Sequence, residues 1–175
     1  MGTRSCIIVK VRKEDIGKEI KFNEQPLPAP LDKWESKDLN GKVWRDETGR
    51  DLCQPVGINS QYIGIYCHWD GYPSGIGYEL KTYFKDYNSV LNLIIGGSCS
   101  SIGNGVVRHY ANRQGEKWEY LLPKQGKTLK EVVTAFMRAD AEYAYLYDET
   151  RGEWVYKPLY GTFEKVHKIG FKTMK

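Results

Sequence analysis

The stretch from residue 141 to residue 156 constrains the fold most, because its side chains follow a period of two. Tyrosines recur at every second position within Ala141 to Asp148, a spacing that is typical of a half-buried strand. Glu149 to Gly152 supplies residues suited to a turn, and Glu153 to Tyr156 is again rich in aromatic and β-branched residues. The pattern predicts a β-hairpin, so the chain must contain an antiparallel sheet.

Further strands are predicted from β-branched and aromatic runs elsewhere in the chain. Cys6 to Val11 predicts a buried first strand, which we expect to pair antiparallel with a second strand over Gln61 to Cys67. Val106 to Tyr110 and Trp118 to Leu121 predict two more strands.

Three helices are predicted from capping residues that precede apolar side chains at helical spacing. Ser74 is the expected N-cap of a helix that ends near residue 85, and a short helix is expected over Val90 to Ile95. Thr128 begins the third helix, and Glu131, three residues later, completes a capping box.

The order of these elements predicts an α+β fold with a mostly antiparallel sheet and about three helices packed on one face of that sheet. The 175 residues are expected to form a single domain, 1–175. Within it, residues 13–60 are expected to form a long Pro-rich, loop-rich insertion after the first strand, with a small hairpin around Val43 and Leu52. The prolines of this insertion cannot continue a helix or a central strand.

The composition argues against several classes of protein. The net charge is only +4 and both signs are interspersed, so a dedicated nucleic-acid-binding protein is not favoured. No apolar run approaches the roughly 20 residues of a membrane helix, and the first residues lack the apolar core of a secretion signal, so we expect no membrane association. The four cysteines form no C-x-x-C pair, and we expect no metal and no cofactor.

The densest chemistry of the chain lies between Tyr66 and Gly77, where a strand is expected to lead through a turn into a helix. Trp69 and Tyr72 offer faces on which a ring could stack. His68 and Asp70 are two residues apart and are therefore spaced to share one face.

The backbone of the same segment has features of an anion site. The N–H groups at a helix start favour a negative charge, and Gly75 and Gly77 would let a ligand approach the backbone. Arg4 and Ser5 would reach this place from the first strand. The segment is either a pocket for a negatively charged, ring-containing ligand or a structural turn filled by its own aromatic side chains.

A second candidate site is the loop from Gly96 to Gly105, which is rich in glycine and serine. Successive small residues can aim backbone N–H groups at a phosphate, so Ser98, Ser100 and Ser101 are candidate ligand-binding residues, with Arg108 on the following strand. The alternative interpretation is a plain connection between a helix and a strand.

Several of these segments resemble a family of small phage and prophage proteins, most specifically through YCHWDGY at Tyr66 to Tyr72. Met1 to Ser5, Leu93 to Ile102 and Ala141 to Trp154 extend the resemblance, which leaves out most of the insertion. The family pattern carries an acidic residue where this chain has Ser98. The resemblance implies a viral or mobile-element origin and action inside a bacterial host, and it carries no catalytic residue with it.

These observations favour a phage-encoded, non-enzymatic binding protein that counters host defence in the cytoplasm of the bacterial host. Its partner would be a nucleotide-like small molecule, or a host protein that Trp34 and Trp44 of the insertion would contact. If the pocket lay between subunits, a homodimer would be the default assembly.

Two alternative functions are left open by the residues. A small hydrolase or phosphodiesterase would use His68 as a general base oriented by Asp70, with His109 as the acid. A nucleic-acid-binding module would show an affinity that falls steeply with salt concentration.

Overall fold

The computed structural model describes residues 2–22, 55–110 and 122–174. The strands in these residues are β1 (Ser5–Lys10), β2 (Glu19–Ile20), β3 (Val56–Gly57), β4 (Tyr62–Cys67), β5 (Cys99–Gly103), β6 (Val106–His109), β7 (Lys124–Gly126), β8 (Tyr143–Asp148), β9 (Glu153–Pro158) and β10 (Lys172–Thr173). The helices are α1 (Tyr78–Tyr83), α2 (Tyr87–Ile95), α3 (Leu129–Met137) and α4 (Phe163–Lys168). A short 3-10 turn (Lys13–Asp15) follows β1, and a π-helical turn (Pro73–Gly77) leads into α1.

The main sheet has the strand order β10-β9-β8-β1-β4-β5-β6, with β7 paired to β4. β1 pairs β8 and β4 pairs β5 in parallel, whereas the other neighbouring strands of this sheet are antiparallel. β2 and β3 form a separate two-stranded ribbon. The α+β fold and the mostly antiparallel sheet are therefore confirmed.

β1 lies at the centre of the sheet, and its side chains alternate between two hydrophobic cores. Ile7 and Val9 belong to a first core, which the sheet forms with α1 and α2. Cys6 and Ile8 belong to a second core, which the sheet forms with α3 and α4. All four side chains are fully buried.

The helices do not all pack on one face as expected: among the described residues, α1 and α2 contribute to the first core and α3 and α4 to the second. The reason can be read from β1, which is apolar at consecutive positions. A strand that is buried on both faces needs a layer of structure on each side.

Several local predictions are confirmed. β1 and β4 pair antiparallel, with Ile7 opposite Ile65, and β8 and β9 form the C-terminal hairpin. Thr128 caps α3 as predicted by accepting the N–H of Glu131, although the Glu131 carboxylate accepts the N–H of Lys127 and not that of Thr128 itself. The expected strand over Val106 to Tyr110 is β6.

One helix start differs from its prediction. The side chain of Ser74 does not cap a helix, because Pro73 occupies the first position of the π-helical turn and the preceding residue is Tyr72. Proline suits this position because it has no N–H that would need a partner.

The expected strand over Trp118 to Leu121, the hairpin around Val43 and Leu52, and most of the insertion lie outside the described residues. Within the described residues, no helix is both long and apolar enough to cross a membrane.

Candidate functional site

The turn after β4 is built by close backbone contacts. The N–H of Gly71 donates to the carbonyl of Thr3, and the carbonyl of Gly71 accepts the hydroxyl of Tyr145 at 2.6 Å. A Cβ at Gly71 would lie 2.7 Å from the Thr3 oxygen and 2.8 Å from the Cβ of Ser5. Asp70 adopts a φ of 57° before it, which an aspartate tolerates better than most residues. The turn therefore packs tightly against the residues at the start of β1 and just before it.

Gly75 and Gly77 also lie in close contact with other parts of the protein. A Cβ at Gly75 would lie 2.3 Å from the carbonyl oxygen of Asp70, and one at Gly77 would lie 2.9 Å from the sulfur of Met174. Protein atoms thus occupy the space in which a side chain at either position would lie. The hydroxyl of Tyr72 donates to the carboxylate of Asp70 at 3.2 Å, so the turn is also tied by its side chains.

His68 and Trp69 follow β4 and form an aromatic pair. Their rings are perpendicular, with centres 4.7 Å apart. The Nδ1 atom of His68 lies 2.7 Å from the hydroxyl oxygen of Tyr66. Trp69 remains 45 % exposed, and Gly2 packs so closely on its ring that a Cβ there would clash. Asp70, the expected partner of His68, is instead bonded to Tyr72.

Arg4 lies next to Tyr66. Burial raises the pKa of the Tyr66 hydroxyl, while the charge of Arg4 and its hydrogen bond to the hydroxyl partly oppose that rise. The backbone of Arg4 is held by Glu142, because the Arg4 N–H donates to Oε2 of Glu142 at 3.0 Å and the Glu142 N–H donates to the Arg4 carbonyl. The Tyr66 hydroxyl therefore interacts with both Arg4 and His68 at this end of the sheet.

Arg4 also lines an open cleft of about 640 Å³ between the start of β8 and the start of α4, which we call the Arg4 cleft. Its other lining residues are Met137, Asp140, Ala141, Glu142, Leu159, Tyr160, Gly161, Thr162 and Phe163. Tyr160 is 57 % exposed and Phe163 is 45 % exposed. The cleft thus combines a cation, carboxylates and accessible aromatic rings.

Arg4 lines the same cleft as these rings, and Arg138 lies beside one of them. In the described part of the chain, Arg4 takes part in no ion pair. The guanidinium of Arg138 lies 5.9 Å from the centre of the Phe163 ring. The ring of Tyr160 is held edge-on to Tyr143, with centres 5.9 Å apart.

The loop from Gly96 to Gly105 meets the motif of Tyr66 to Gly77 through the parallel pair of β4 and β5. The N–H of Tyr66 donates to the hydroxyl of Ser98 at 3.2 Å, and the N–H of Trp69 donates to the carbonyl of Ser100. The two segments singled out in the sequence are therefore neighbours in the fold, although neither lines the Arg4 cleft.

The other candidate ligand-binding residues contact neighbouring protein groups or are buried. The hydroxyl of Ser100 donates to the carbonyl of Arg108 at 3.3 Å, and Ser101 faces Arg108 in the β5–β6 register. Ser5 is fully buried, and its hydroxyl has no hydrogen-bond partner in the structure as described.

His109 is buried on the opposite face of the sheet from His68. It faces Cys99 of the first core in the register, and its ring contacts Phe22, which packs on that core. Tyr66, the partner of His68, packs on the second core. A general acid and base pair of the two histidines would therefore have to act through the sheet.

The environment of His109 keeps its ring neutral. Its Nδ1 donates to the carbonyl of Gly97 at 2.8 Å, whereas its Nε2 is buried with no hydrogen-bond partner in the described structure. Burial lowers the pKa of His109 to about 4, and the hydrogen bond to Gly97 acts in the opposite direction.

Cys67 and Cys99 face each other in the β4–β5 register and are both buried. The hydrogen bond to Cys67, followed by burial, holds the pKa of the Cys99 thiol well above its usual range. Among the described residues, no group of three histidine, cysteine or acidic side chains is arranged to hold a metal ion.

Sequence reasoning identified Arg4 but missed the residues that surround it in the cleft. Asp140 and Glu142 stood at the start of a predicted strand, and Tyr160 and Phe163 stood after the last strand of the hairpin. The only signal was a pair of aromatic residues around a glycine after a strand, which is common in plain turns.

In comparisons with known proteins, the chain matches no family model, no curated protein and no solved structure.

Proposed function

We propose that this chain is a non-enzymatic binding protein that holds a nucleotide-like small molecule in the Arg4 cleft. The observation that carries the proposal is the presence of Arg4 and of two exposed aromatic rings in one cleft of about 640 Å³. Ligand pockets commonly have volumes of about 300–1,000 Å³ and combine apolar walls with a few polar groups.

The lining suggests how such a ligand would be held. Its ring would pack against Phe163 and Tyr160, whose faces are accessible to solvent. Arg4 would donate to oxygen or nitrogen acceptors of the ligand, since a guanidinium carries several donors in one plane. Arg138, near Phe163, would add positive charge for a phosphate group.

In a bacterial host, a phage protein of this kind would counter defence by withdrawing a nucleotide-like signal from solution. This role is supported by the resemblance of the YCHWDGY segment and its flanks to small phage and prophage proteins. The motif would contribute indirectly, because Tyr66 interacts with Arg4 and His68 contacts the Tyr66 hydroxyl.

The experiment is native mass spectrometry of the purified chain, incubated with a small-molecule extract of phage-infected bacteria. We expect a mass increment of a few hundred daltons that is lost in Arg4→Ala. Arg151→Ala is the matched control, because Arg151 is an exposed arginine at the far end of the β8–β9 hairpin, where it pairs with Glu153.

Four outcomes would decide the proposal. An increment lost in Arg4→Ala and retained in Arg151→Ala would support it. An increment that survives Arg4→Ala would place the ligand elsewhere. The absence of any small-molecule increment, with the folded protein recovered, would overturn it, and a protein-sized adduct would favour the host-protein partner instead.

A further inference from the structure

The charges of the Arg4 cleft do not suit a ligand that is purely anionic. Asp140 and Glu142 line the cleft together with Arg4, so two carboxylates accompany one guanidinium. A carboxylate accepts hydrogen bonds and repels a negative group. The ligand must therefore present N–H donors to this part of the cleft as well as acceptors.

The two carboxylates have different roles. Oε2 of Glu142 accepts the backbone N–H of Arg4 at 3.0 Å, so Glu142 helps to hold Arg4 in place. No described residue hydrogen bonds or forms an ion pair with the carboxylate of Asp140. Asp140 is therefore the acidic group that is available to a ligand.

The backbone fixes the position of Asp140. It follows α3 with a φ of 64°, and its N–H donates to the carbonyl of Met137 at 3.0 Å. The N–H of Ala141 donates to the carbonyl of Phe136, which closes the end of the helix. Arg4 is hydrogen-bonded to Glu142, two residues after Asp140, and both Arg4 and Asp140 line the cleft, so a cation and a carboxylate share this part of it.

We propose that Arg4 and Asp140 together recognise a guanine-type edge, in which two neighbouring N–H donors stand beside a carbonyl oxygen. The carboxylate of Asp140 accepts the two donors, and the guanidinium of Arg4 donates to the oxygen. Among the common nucleobases, guanine alone offers this arrangement on one edge. Asp140 is then the residue that determines specificity, and the inference rests on the proposed function of the cleft.

The test is calorimetric titration of the full chain with GMP and with IMP, which differ only in the 2-amino group of the base. We expect GMP to bind about tenfold more tightly, because IMP leaves one carboxylate oxygen of Asp140 without its donor. Asp140→Asn should reduce this ratio to about one. Asparagine has nearly the same shape and also tolerates a positive φ, so the helix end should be retained.

Asp148→Asn is the matched control, because Asp148 lies at the distant end of β8. It should leave the ratio of GMP to IMP affinity unchanged. AMP, CMP and UMP are titrated under the same conditions to separate the two proposals.

The outcomes distinguish this inference from the proposed function. Equal binding of GMP and IMP, or binding of AMP, CMP or UMP in preference to GMP, would overturn the guanine specificity and leave nucleotide binding intact. A ratio that persists in Asp140→Asn would remove Asp140 from the recognition. If none of the five nucleotides binds, both proposals fail.

Discussion

The hydroxyl of Tyr66 lies 2.7 Å from Nδ1 of His68, and the same hydroxyl is a neighbour of Arg4. This contact links the motif after β4 to the Arg4 cleft. Tyr66 packs on the second core near the end of β4, and this packing fixes the position of its ring. The position of its hydroxyl is fixed by its contacts with His68 and Arg4.

Tyr66→Phe should weaken ligand binding in the Arg4 cleft by about two- to twelvefold, because the loss of a hydrogen bond costs about 0.5–1.5 kcal/mol. The variant keeps the ring but removes the group that holds Arg4 and His68. Ligand affinity and the midpoint of thermal unfolding should be measured together. Tyr62→Phe, on the same strand and packed against the same core, is the control that should bind normally. Equal affinity of both variants would exclude a positioning role for Tyr66.

Gly75→Ala should destabilise the protein by about 1–3 kcal/mol, because the added methyl group meets the carbonyl oxygen of Asp70 and the backbone must shift. The free energy of unfolding can be measured with urea. Gly103→Ala is the control, since a Cβ at Gly103 meets nothing within 4 Å. If Gly75→Ala and Gly103→Ala lower the free energy of unfolding equally, the close approach of Gly75 to the Asp70 carbonyl does not stabilise the turn.

His109 should make the protein sensitive to acid. Its pKa is lowered from 6.5 to about 4, so the unfolded state binds the proton at a higher pH than the folded state does. The contribution of this group to stability is therefore complete above about pH 6.5 and is lost as the pH falls toward 4, by up to about 3 kcal/mol. Urea unfolding between pH 7 and pH 4 measures this loss.

A variant identifies His109 as the source of the acid sensitivity. His109→Phe should flatten the decline in unfolding free energy between pH 6.5 and pH 4, whereas His68→Gln should retain it. Some decline will persist, because burial and the charges of Lys157 and Lys130 also lower the pKa of His167. An unchanged slope in His109→Phe would show that the buried ring is not the main group.

Lys157→Met should destabilise the C-terminal end of α4 by about 1–3 kcal/mol, because two carbonyl groups lose their donor. The Nζ atom of Lys157 donates to the carbonyls of Val166 and Ile169, both at 3.1 Å, and lies 4.9 Å from the centre of the Phe171 ring. Amide hydrogen exchange over residues 163–169 should accelerate in this variant. Lys165→Met, at an exposed position of the same helix, should leave the exchange nearly unchanged.

Local patterns in the sequence predicted local structure well. The period of two in Ala141 to Asp148 predicted β8, and the Thr128 and Glu131 pair predicted the start of α3, because both signals act within one element. The pairing of β1 with β4 was also predicted correctly. The π-helical turn at Pro73 was missed, since the residues around Ser74 resemble an ordinary helix start.

An antiparallel hairpin, a buried central strand and capped helices could be predicted from the amino-acid sequence, because hydrophobic periodicity and capping chemistry depend on near neighbours. The helices on both faces of the sheet, and the cleft that Arg4 shares with Asp140 and Tyr160, arise from contacts between distant parts of the chain. Asp140 and Tyr160 both lie more than a hundred positions after Arg4 in the chain, and the parallel pairing of β1 with β8 brings the two regions together. Their proximity depends on strand order in the sheet, which no local pattern encodes.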